Sequence, residues 1–154
     1  MSEEEKTVTV NRRAYHDFDI EETLEAGIVL SGTEVKSLRR GSCNLKDSYI
    51  QLKDGEAWII NMHISPYKEG GRYNVDPDRT RKLLLHKDEI EYLASKSLLR
   101  GYTVIPLKVY FKRGNAKLEI ALAKGRKLYD KKKLLIEKDR VRELERTLKG
   151  YKGA

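Results

Sequence analysis

The sequence predicts a mainly β domain, a small Greek-key barrel with short helices, followed by a basic C-terminal tail. Three observations carry this prediction. Two pairs of alternating apolar and polar segments flank hairpin turn signals. A helical pattern lies between the two pairs, and basic side chains are concentrated after residue 123. The 154 residues suffice for one compact domain, and 36% charged residues predict a modest core under a charged surface.

The first forty residues contain two predicted strands and one helix. Residues 1–10 are polar and acidic, which predicts a disordered N-terminal arm. Residues 17–22 alternate like a half-exposed strand, and the apolar residues 26–30 predict a buried strand. Thr33 is predicted to cap a short helix over residues 34–40.

The first hairpin is predicted from an Asp54-Gly55 turn between two alternating segments, 48–53 and 56–64. Both central positions of a type I′ turn need a positive φ, which Asp and Gly tolerate. Strict alternation places four apolar residues on one face of the second strand: Trp58, Ile60, Met62 and Ile64.

A loop over residues 65–80 and a helix over 86–100 lead to the second hairpin. Its strands are predicted over 102–112 and 116–123, with a turn at Gly114-Asn115. In the first of these strands, four apolar residues are predicted to share a face: Ile105, Leu107, Val109 and Phe111. Two hairpins with a helix between them favour an oligonucleotide-binding (OB-type) Greek-key barrel over a sandwich or a βαβ layout.

Positive charge is concentrated at the C-terminal end. The segment Lys124–Ala154 holds 12 basic and 5 acidic side chains, so it carries +7 of the net +8. A cationic tail on a nearly neutral body is typical of proteins that bind phosphate, since each neutralised phosphate releases counterions. The alternative is a merely solvated helix. We expect the tail, 124–154, to be disordered until it binds a partner.

Several protein classes are disfavoured by what the sequence lacks. No apolar stretch is long enough for a membrane span, and the acidic start does not have the pattern of a secretory signal. The single cysteine, Cys43, cannot form an internal disulfide, which indicates a cytoplasmic protein. The three histidines have no metal-ligand spacing, and no phosphate loop or nucleophile elbow is present. We therefore expect no catalytic residues, no metal, no cofactor and no enzymatic activity.

Features typical of RNA binding are more frequent. The segments 11–16 (NRRAYH), 72–74 (RYN) and 79–82 (RTRK) mix guanidinium, amide and aromatic groups, which contact phosphates and stack on exposed bases. Taken singly, each of Tyr15, Tyr49, Tyr67 and Tyr73 is better explained as covering an end of the barrel than as stacking on RNA, and only the combination favours RNA binding. From charge and placement, four residues are predicted to contact RNA: Arg12, His16, Lys36 and Arg39.

Two blocks of sequence are specific when taken together, EAGIVLSGTEVKSLR at 25–39 and AKGRKLYDKK at 123–132. With further segments in the same order, they extend from about Asn11 to Leu148. In these blocks the chain resembles the small protein B (SmpB) family of SsrA-binding proteins.

The resemblance implies an RNA-binding adaptor in trans-translation. In that family the OB-type barrel, here 11–123, binds the transfer-RNA-like domain of transfer-messenger RNA (tmRNA). The RNA is then delivered to stalled 70S ribosomes, with elongation factor Tu bound indirectly through the aminoacylated RNA. The tail occupies the empty messenger channel and the decoding centre. A cytoplasmic monomer with no membrane partner is expected.

The resemblance also implies specific site residues. The family's RNA-binding positions correspond to Asn11, Glu25, Leu84 and Lys117, with Lys124 and Arg126 beside the exit from the barrel. Periodicity alone would place Leu84 in the core, so its exposure is implied only by the family. Gly125 is expected to be the hinge between barrel and tail. The ribosome-engaging segment corresponds to Gly125, Lys127, Leu128, Tyr129, Asp130, Lys131, Lys132 and Lys133.

Two other functions fit parts of the pattern. A ribosomal structural protein would bury a basic arm in ribosomal RNA and would associate with ribosomes whether or not they are stalled. An RNA-processing enzyme would turn over RNA with divalent ions, which the missing catalytic constellation disfavours.

Overall fold

The computed structural model describes residues 5–125, which form mainly antiparallel β-structure with three short helices. The helices are α1 (Arg12–Asp17), α2 (Gly32–Arg39) and α3 (Lys87–Ser97), and a short 3-10 turn covers Gly71–Tyr73. The nine strands are β1 (Glu5–Val10), β2 (Phe18–Ile28), β3 (Cys43–Asn44), β4 (Tyr49–Lys53), β5 (Glu56–Ile60), β6 (His63–Ile64), β7 (Arg81–Leu84), β8 (Tyr102–Lys112) and β9 (Asn115–Gly125).

Seven strands form one antiparallel sheet in the order β1-β8-β9-β2-β7-β5-β4, and β3 pairs with β6 in a second, two-stranded sheet. The large sheet is strongly curved. Strand β4, at one end of the strand order, contacts β8, which is the second strand from the other end. The mainly β prediction is confirmed. The OB-type Greek-key barrel remains a prediction.

The main core lies inside this curved sheet. It is formed by fully buried residues of β2, β5, β7 and β9, and α2 and α3 each add a leucine, Leu38 and Leu93. The predicted inward face of β9, with Leu118, Ile120 and Leu122, is confirmed. A second, smaller cluster on the other face of the sheet joins Ala14 of α1 to Ile105 and Leu107.

The predicted common face of β8 is wrong at one point. The register against β9 shifts between Pro106 and Lys108, so Leu107 is the extra residue of a β-bulge. Before the bulge, Ile105 faces the small cluster; after it, Val109 and Phe111 face the main core. An extra residue reverses the alternation of faces, which a strict period of two cannot anticipate.

The predicted disorder of residues 1–10 is wrong for the part that the structure describes. Residues 5–10 form β1, which pairs with β8 from Glu5–Lys112 to Val10–Lys108. Four consecutive β-branched residues, TVTV at 7–10, favour a strand, and Val8 packs against the main core. Without β1, β8 would present an unpaired edge.

The strands predicted at 17–22 and 26–30 are one continuous strand, β2, with a register shift between Ile20 and Glu22. The helix that follows begins earlier than predicted. Ser31, not Thr33, is the N-cap, because its hydroxyl accepts from the Glu34 N–H while the Glu34 carboxylate accepts from the Ser31 N–H.

The Asp54-Gly55 hairpin is confirmed, with φ of 54° and 73° at its two central residues. Its predicted face is wrong, since Ala57 and Ile59 are the fully buried residues of β5 while Trp58 and Ile60 are half-buried. Asn61 then adopts a φ of 63°, which interrupts the strand, and Met62 and Ile64 return to the core.

The later elements follow the prediction with shifted ends. Helix α3 begins after His86 and ends at Ser97, three residues before the predicted end. The second hairpin turns at Arg113-Gly114, because these are the two residues with positive φ, and not at the predicted Gly114-Asn115.

The predicted boundary between body and tail, after residue 123, lies two residues too early. Strand β9 continues through Lys124 and Gly125, which pair with Asp19 and Phe18 of β2. The predicted hinge at Gly125 is therefore a strand residue whose N–H donates to the Gly101 carbonyl at 3.2 Å. Predictions for residues 126–154, and for residues 1–4, concern residues outside those described. Among the helices that are described, none is long and apolar enough to cross a membrane.

Candidate nucleic-acid interface

A cleft of about 620 Å³ crosses three neighbouring strands, β7, β2 and β9, and contains three of the predicted RNA-binding residues. Gly27 of β2 pairs with Leu84 of β7 on one side and with Lys117 of β9 on the other. Glu25 lies two residues before Gly27 on the same strand and lines the same cleft. The sheet thus brings together an acidic residue, Glu25, an apolar residue, Leu84, and a basic residue, Lys117, which are far apart in sequence.

Gly27 allows Leu84 to lie across the middle of this cleft. A Cβ at position 27 would stand 3.2 Å from the Cβ of Leu84, closer than ordinary contact. The preceding residue, Leu83, takes the core position and is 1% exposed, whereas Leu84 is 56% exposed. The exposure implied by the family is confirmed, because alternation along β7 sends these two leucines to opposite faces.

Glu25 is held in place by donors from β8. Its carboxylate accepts from the Tyr110 hydroxyl at 2.5 Å and from the Lys112 ammonium at 3.3 Å. The Tyr110 hydrogen bond, followed by the Lys112 bond and the charges of Lys112 and Lys117, holds the pKa of Glu25 below its usual range. Glu25 is therefore a fixed, ionised acceptor at neutral pH.

Tyr110 is a residue of the candidate site that the sequence did not predict. Its side chain is almost completely buried, and burial followed by the hydrogen bond to Glu25 raises the pKa of its phenol. The phenol therefore remains a protonated donor. The register of the second hairpin could have revealed it, because this register pairs Tyr110 with Lys117, a predicted RNA-binding residue, on the adjacent strand. Gly27 was not predicted either. The signal that could have revealed it is a glycine inside a strand, which can mark a close approach of a neighbouring chain segment.

Together these groups offer complementary contacts to a folded RNA. An ionised carboxylate accepts from a base amino group or a ribose 2′-hydroxyl, and the Lys117 ammonium can donate to phosphate. The exposed leucine can pack against a base or a sugar. Within residues 5–125 there is no group of three potential metal ligands.

The predicted RNA-binding residues of α1 and of its N-cap, Asn11, lie outside this cleft. The Asn11 side-chain amide donates to the Pro106 carbonyl at 2.9 Å, and the Asn11 N–H donates to the Leu107 carbonyl at 2.7 Å. Asn11 therefore fastens the start of α1 to the bulge of β8. Arg12 and His16 are exposed on α1, and Asn11 and Arg12 line a separate groove.

The other predicted residues are also distributed around the body. Lys36 of α2 lies 5.5 Å from the ring of Tyr67, and Arg39 lies 5.9 Å from the ring of Phe111, where it lines a further groove. Lys124 at the end of β9 lies 5.7 Å from the ring of Tyr102. Arg126 and the predicted ribosome-engaging residues 127–133 are outside the described part.

Two of the arginines predicted as RNA-binding in segment 79–82 are structural instead. Arg81 is 0% exposed, and its guanidinium donates to the Glu34 carboxylate and to the Met62 carbonyl. Arg79 donates to the same carboxylate. Burial alone would raise the pKa of Glu34, but bonds from Arg79, the Ser31 N–H and Arg81 hold it below its usual value. This network joins α2 to β7.

Cys43 has no features of a reactive thiol. Burial raises its pKa to about 12, with only partial opposition from the charge of Arg81. The side chain packs against the main core as a small apolar group.

Comparison with known proteins finds the SmpB family over nearly the whole chain. A family model described as "SmpB protein" matches residues 8–150. The chain is 56% identical over 146 residues to a Sulfurihydrogenibium protein named "SsrA-binding protein", covering 95% of this chain and 96% of that one. A protein of the same name from Caldicellulosiruptor bescii is also 56% identical, with 95% and 92% covered.

One solved structure, described as "tmRNA-SmpB: a journey to the center of the bacterial ribosome", superposes with a TM-score of 0.65 at 52% identity. The superposition covers 76% of this chain and 82% of that one.

Proposed function

Because the chain belongs to the SmpB family, we propose that it binds the transfer-RNA-like domain of tmRNA and acts with it on stalled ribosomes in trans-translation. The observation that carries this proposal is the cleft over Gly27. It brings Glu25, Leu84 and Lys117 together on three adjacent strands. These are the positions at which the family resemblance expects RNA contacts.

The protein is an adaptor without enzymatic activity. It works as a cytoplasmic monomer that delivers tmRNA to the 70S ribosome, with elongation factor Tu bound through the aminoacylated RNA. Its tail occupies the messenger channel and the decoding centre. The body is almost neutral, so its specificity for RNA must come from directed contacts rather than bulk charge. This charge distribution supports a division of roles between the body, which recognises tmRNA, and the tail, which engages the ribosome.

The RNA-binding set extends beyond the cleft to residues that lie elsewhere on the body. Asn11 and Arg12 line a separate groove, and Lys124 extends the interface toward the tail. His16, Lys36, Arg39 and Arg126 complete the proposed set.

The cleft is tested by titrating tmRNA and an ordinary transfer RNA with single variants of the full chain. Lys117→Gln and Leu84→Ala should each weaken tmRNA binding by at least about fivefold, because each removes one directed contact. Matched controls are Arg100→Gln and Leu98→Ala, whose side chains are exposed just after the end of α3. Equal losses in the controls, or no preference for tmRNA over transfer RNA, would refute the proposal.

A ribosomal structural protein is distinguished by its occupancy. The adaptor should be enriched on ribosomes halted at the end of a message without a stop codon. Constant occupancy on translating and halted ribosomes would favour the structural protein.

A further inference from the structure

We propose that α2 and the loop over 65–80 form a second RNA-binding surface, separate from the cleft, which holds phosphates and one unstacked base. We call it the loop patch and define it by Lys36 of α2, by Arg40, which directly follows α2, and by Tyr67, Arg72 and Tyr73 of the loop. None of these five residues lines the cleft over Gly27. The patch therefore lies outside the cleft, and it adds four residues to Lys36, which the interface proposed above already contains.

The loop that carries the patch is held in one conformation by its own side chains. The Asn74 amide accepts from the Tyr67 N–H at 2.8 Å and donates to the Tyr67 carbonyl at 2.8 Å and the Gly71 carbonyl at 3.2 Å. Thr33 of α2 donates to the Tyr73 carbonyl at 3.3 Å. Long loops with this much internal order are usually functional, since simple connections are short.

The close packing around Gly70 also fixes the loop against α2. A Cβ at this position would lie 2.9 Å from Cγ2 of Thr33 and 3.0 Å from the Asn74 amide. The rings and cations of the patch are therefore preorganised, which lowers the entropy cost of binding.

The patch combines one exposed ring, Tyr73, and one half-buried ring, Tyr67, with cations close to both. The guanidinium of Arg40 lies 4.5 Å from the centre of the Tyr67 ring, and the ammonium of Lys36 of α2 lies 5.5 Å from the same centre. Arg72 lies 5.1 Å from the centre of the Tyr73 ring, and Tyr73 is 68% exposed. Aromatic rings beside fixed cations form the platforms on which single-stranded nucleic acid stacks while its phosphates are neutralised.

One acidic residue marks where a phosphate would bind. Arg40 donates to both carboxylate oxygens of Glu69, at 3.1 and 3.4 Å. Both side chains are more than half exposed, so this ion pair contributes little to stability. The guanidinium is nevertheless arranged for a planar anion, and a phosphate can take the place of the carboxylate.

Charge and composition favour RNA over an acidic protein as the partner. Four exposed cations, Lys36, Arg40, Lys68 and Arg72, accompany one acid, Glu69, in this part of the surface. The other exposed acids of the loop, Asp76 and Asp78, are not among the residues that define the patch. The exposed surface of the patch is aromatic rather than aliphatic, and a highly exposed tyrosine beside an arginine suits a base better than a hydrophobic protein anchor.

The test uses the full chain with a tryptophan reporter in the patch. Trp58→Phe removes the single tryptophan of the sequence, and Tyr73→Trp introduces one in the exposed position. The probe is a 12-nucleotide oligouridine, titrated while tryptophan fluorescence is recorded. Stacking of a base on residue 73 should quench the fluorescence. A reporter placed by Tyr49→Trp in the same background should show no comparable quenching, because Tyr49 lies on β4, which contributes no residue to the patch.

Charge variants in the reporter background show whether the patch cations hold the RNA. Arg40→Gln with Arg72→Gln should weaken the quenching transition about tenfold and reduce the salt dependence, since two phosphate contacts are lost. The matched control is Arg100→Gln with Arg113→Gln, both exposed outside the patch. Glu69→Gln should strengthen the transition about threefold by freeing Arg40.

Three outcomes would overturn the proposal. RNA binding detected by anisotropy without quenching at position 73 would show that no base stacks there. An equal effect of the control pair would mean that only bulk charge acts. A Glu69→Gln variant with unchanged or weaker affinity would show that Arg40 does not hold phosphate, even if the arginine pair fails to fold. Lys117→Gln should weaken tmRNA binding and leave this quenching unchanged.

Discussion

The carboxylate of Glu25 shows how one buried side chain sets the chemistry of an exposed one. Tyr110 fixes the position of the acid and lowers its pKa. A group whose folded pKa lies below its unfolded value stabilises the fold above the unfolded pKa, near 4.3 for Glu. That contribution is lost as the pH falls through the folded pKa.

Replacing Tyr110 by phenylalanine should therefore raise the pKa of Glu25 toward its ordinary value, because the largest cause of its lowering is removed. At neutral pH the free energy of unfolding should fall by about 1 kcal/mol. Below pH 4 the variant should lose less stability with further acidification than the parent does. An NMR titration of the Glu25 carboxyl and urea unfolding at several pH values measure these effects. An unchanged Glu25 pKa would contradict the assignment.

Gly27 is a second residue whose role depends on its surroundings. Gly27→Val should place methyl groups against Leu84, whose Cβ already stands 3.2 Å from an added Cβ. We expect at least about tenfold weaker tmRNA binding with only a small change in the thermal midpoint, because the crowding falls on an exposed side chain. Gly32→Val is the control, since nothing lies within 4 Å of an added Cβ there. Equal losses in both variants would count against a role for the cleft.

The limits of sequence prediction are clearest at Leu83 and Leu84. Three consecutive leucines do not reveal which one is buried, because the register of β7 against β2 and β5 decides it. The same holds for Arg79 and Arg81, which resemble RNA-binding residues until Glu34 is placed beside them. Glu34 lies 45 and 47 residues away in sequence, so no local pattern connects them.

At the level of elements, α2 is joined to the sheet by a buried ion network. Glu34→Gln should lower the free energy of unfolding by about 3–5 kcal/mol, because the fully buried Arg81 loses its counter-charge. The control is Glu69→Gln, which breaks the exposed pair with Arg40 and should leave the free energy of unfolding almost unchanged. Urea unfolding measures both. Similar values for the two variants would contradict the role of the network.

Strand β1 provides a second prediction about an element. Deleting residues 1–10 should lower the free energy of unfolding by about 2 kcal/mol or more, because β8 loses a paired neighbour and Val8 leaves the core. The amides of β8 should also exchange with solvent faster than those of β9. Unchanged exchange in β8 would indicate that the strand contributes nothing in solution.

The elements that the sequence predicted best are those with strong local signals. The Asp54-Gly55 turn and strand β8 have the predicted bounds because a turn residue or long alternation defines each end. Strand faces failed where a bulge at Leu107 or a positive φ at Asn61 reversed the alternation. Such irregularities are fixed by tertiary packing, which single-sequence periodicity does not contain.

Across the whole molecule, charge is separated from the shaped surface. Residues 126–154 carry 11 basic and 5 acidic side chains, while the cleft and the loop patch lie on a body of almost balanced charge. This predicts that affinity and specificity come from different parts of the chain. The basic segment should account for most of the salt dependence, since each neutralised phosphate contributes about 0.7–0.9 to the logarithmic slope.

A chain ending at Gly125, where β9 ends, tests this separation. It should retain much of the specific affinity for tmRNA, because the cleft is intact, and its binding should depend less steeply on salt. In a translation assay with messages that lack a stop codon, the same chain should fail to rescue stalled ribosomes. The control keeps the tail and carries Lys117→Gln, which should lose RNA affinity first. If the shortened chain lost all preference for tmRNA over transfer RNA, recognition would have to reside in the tail.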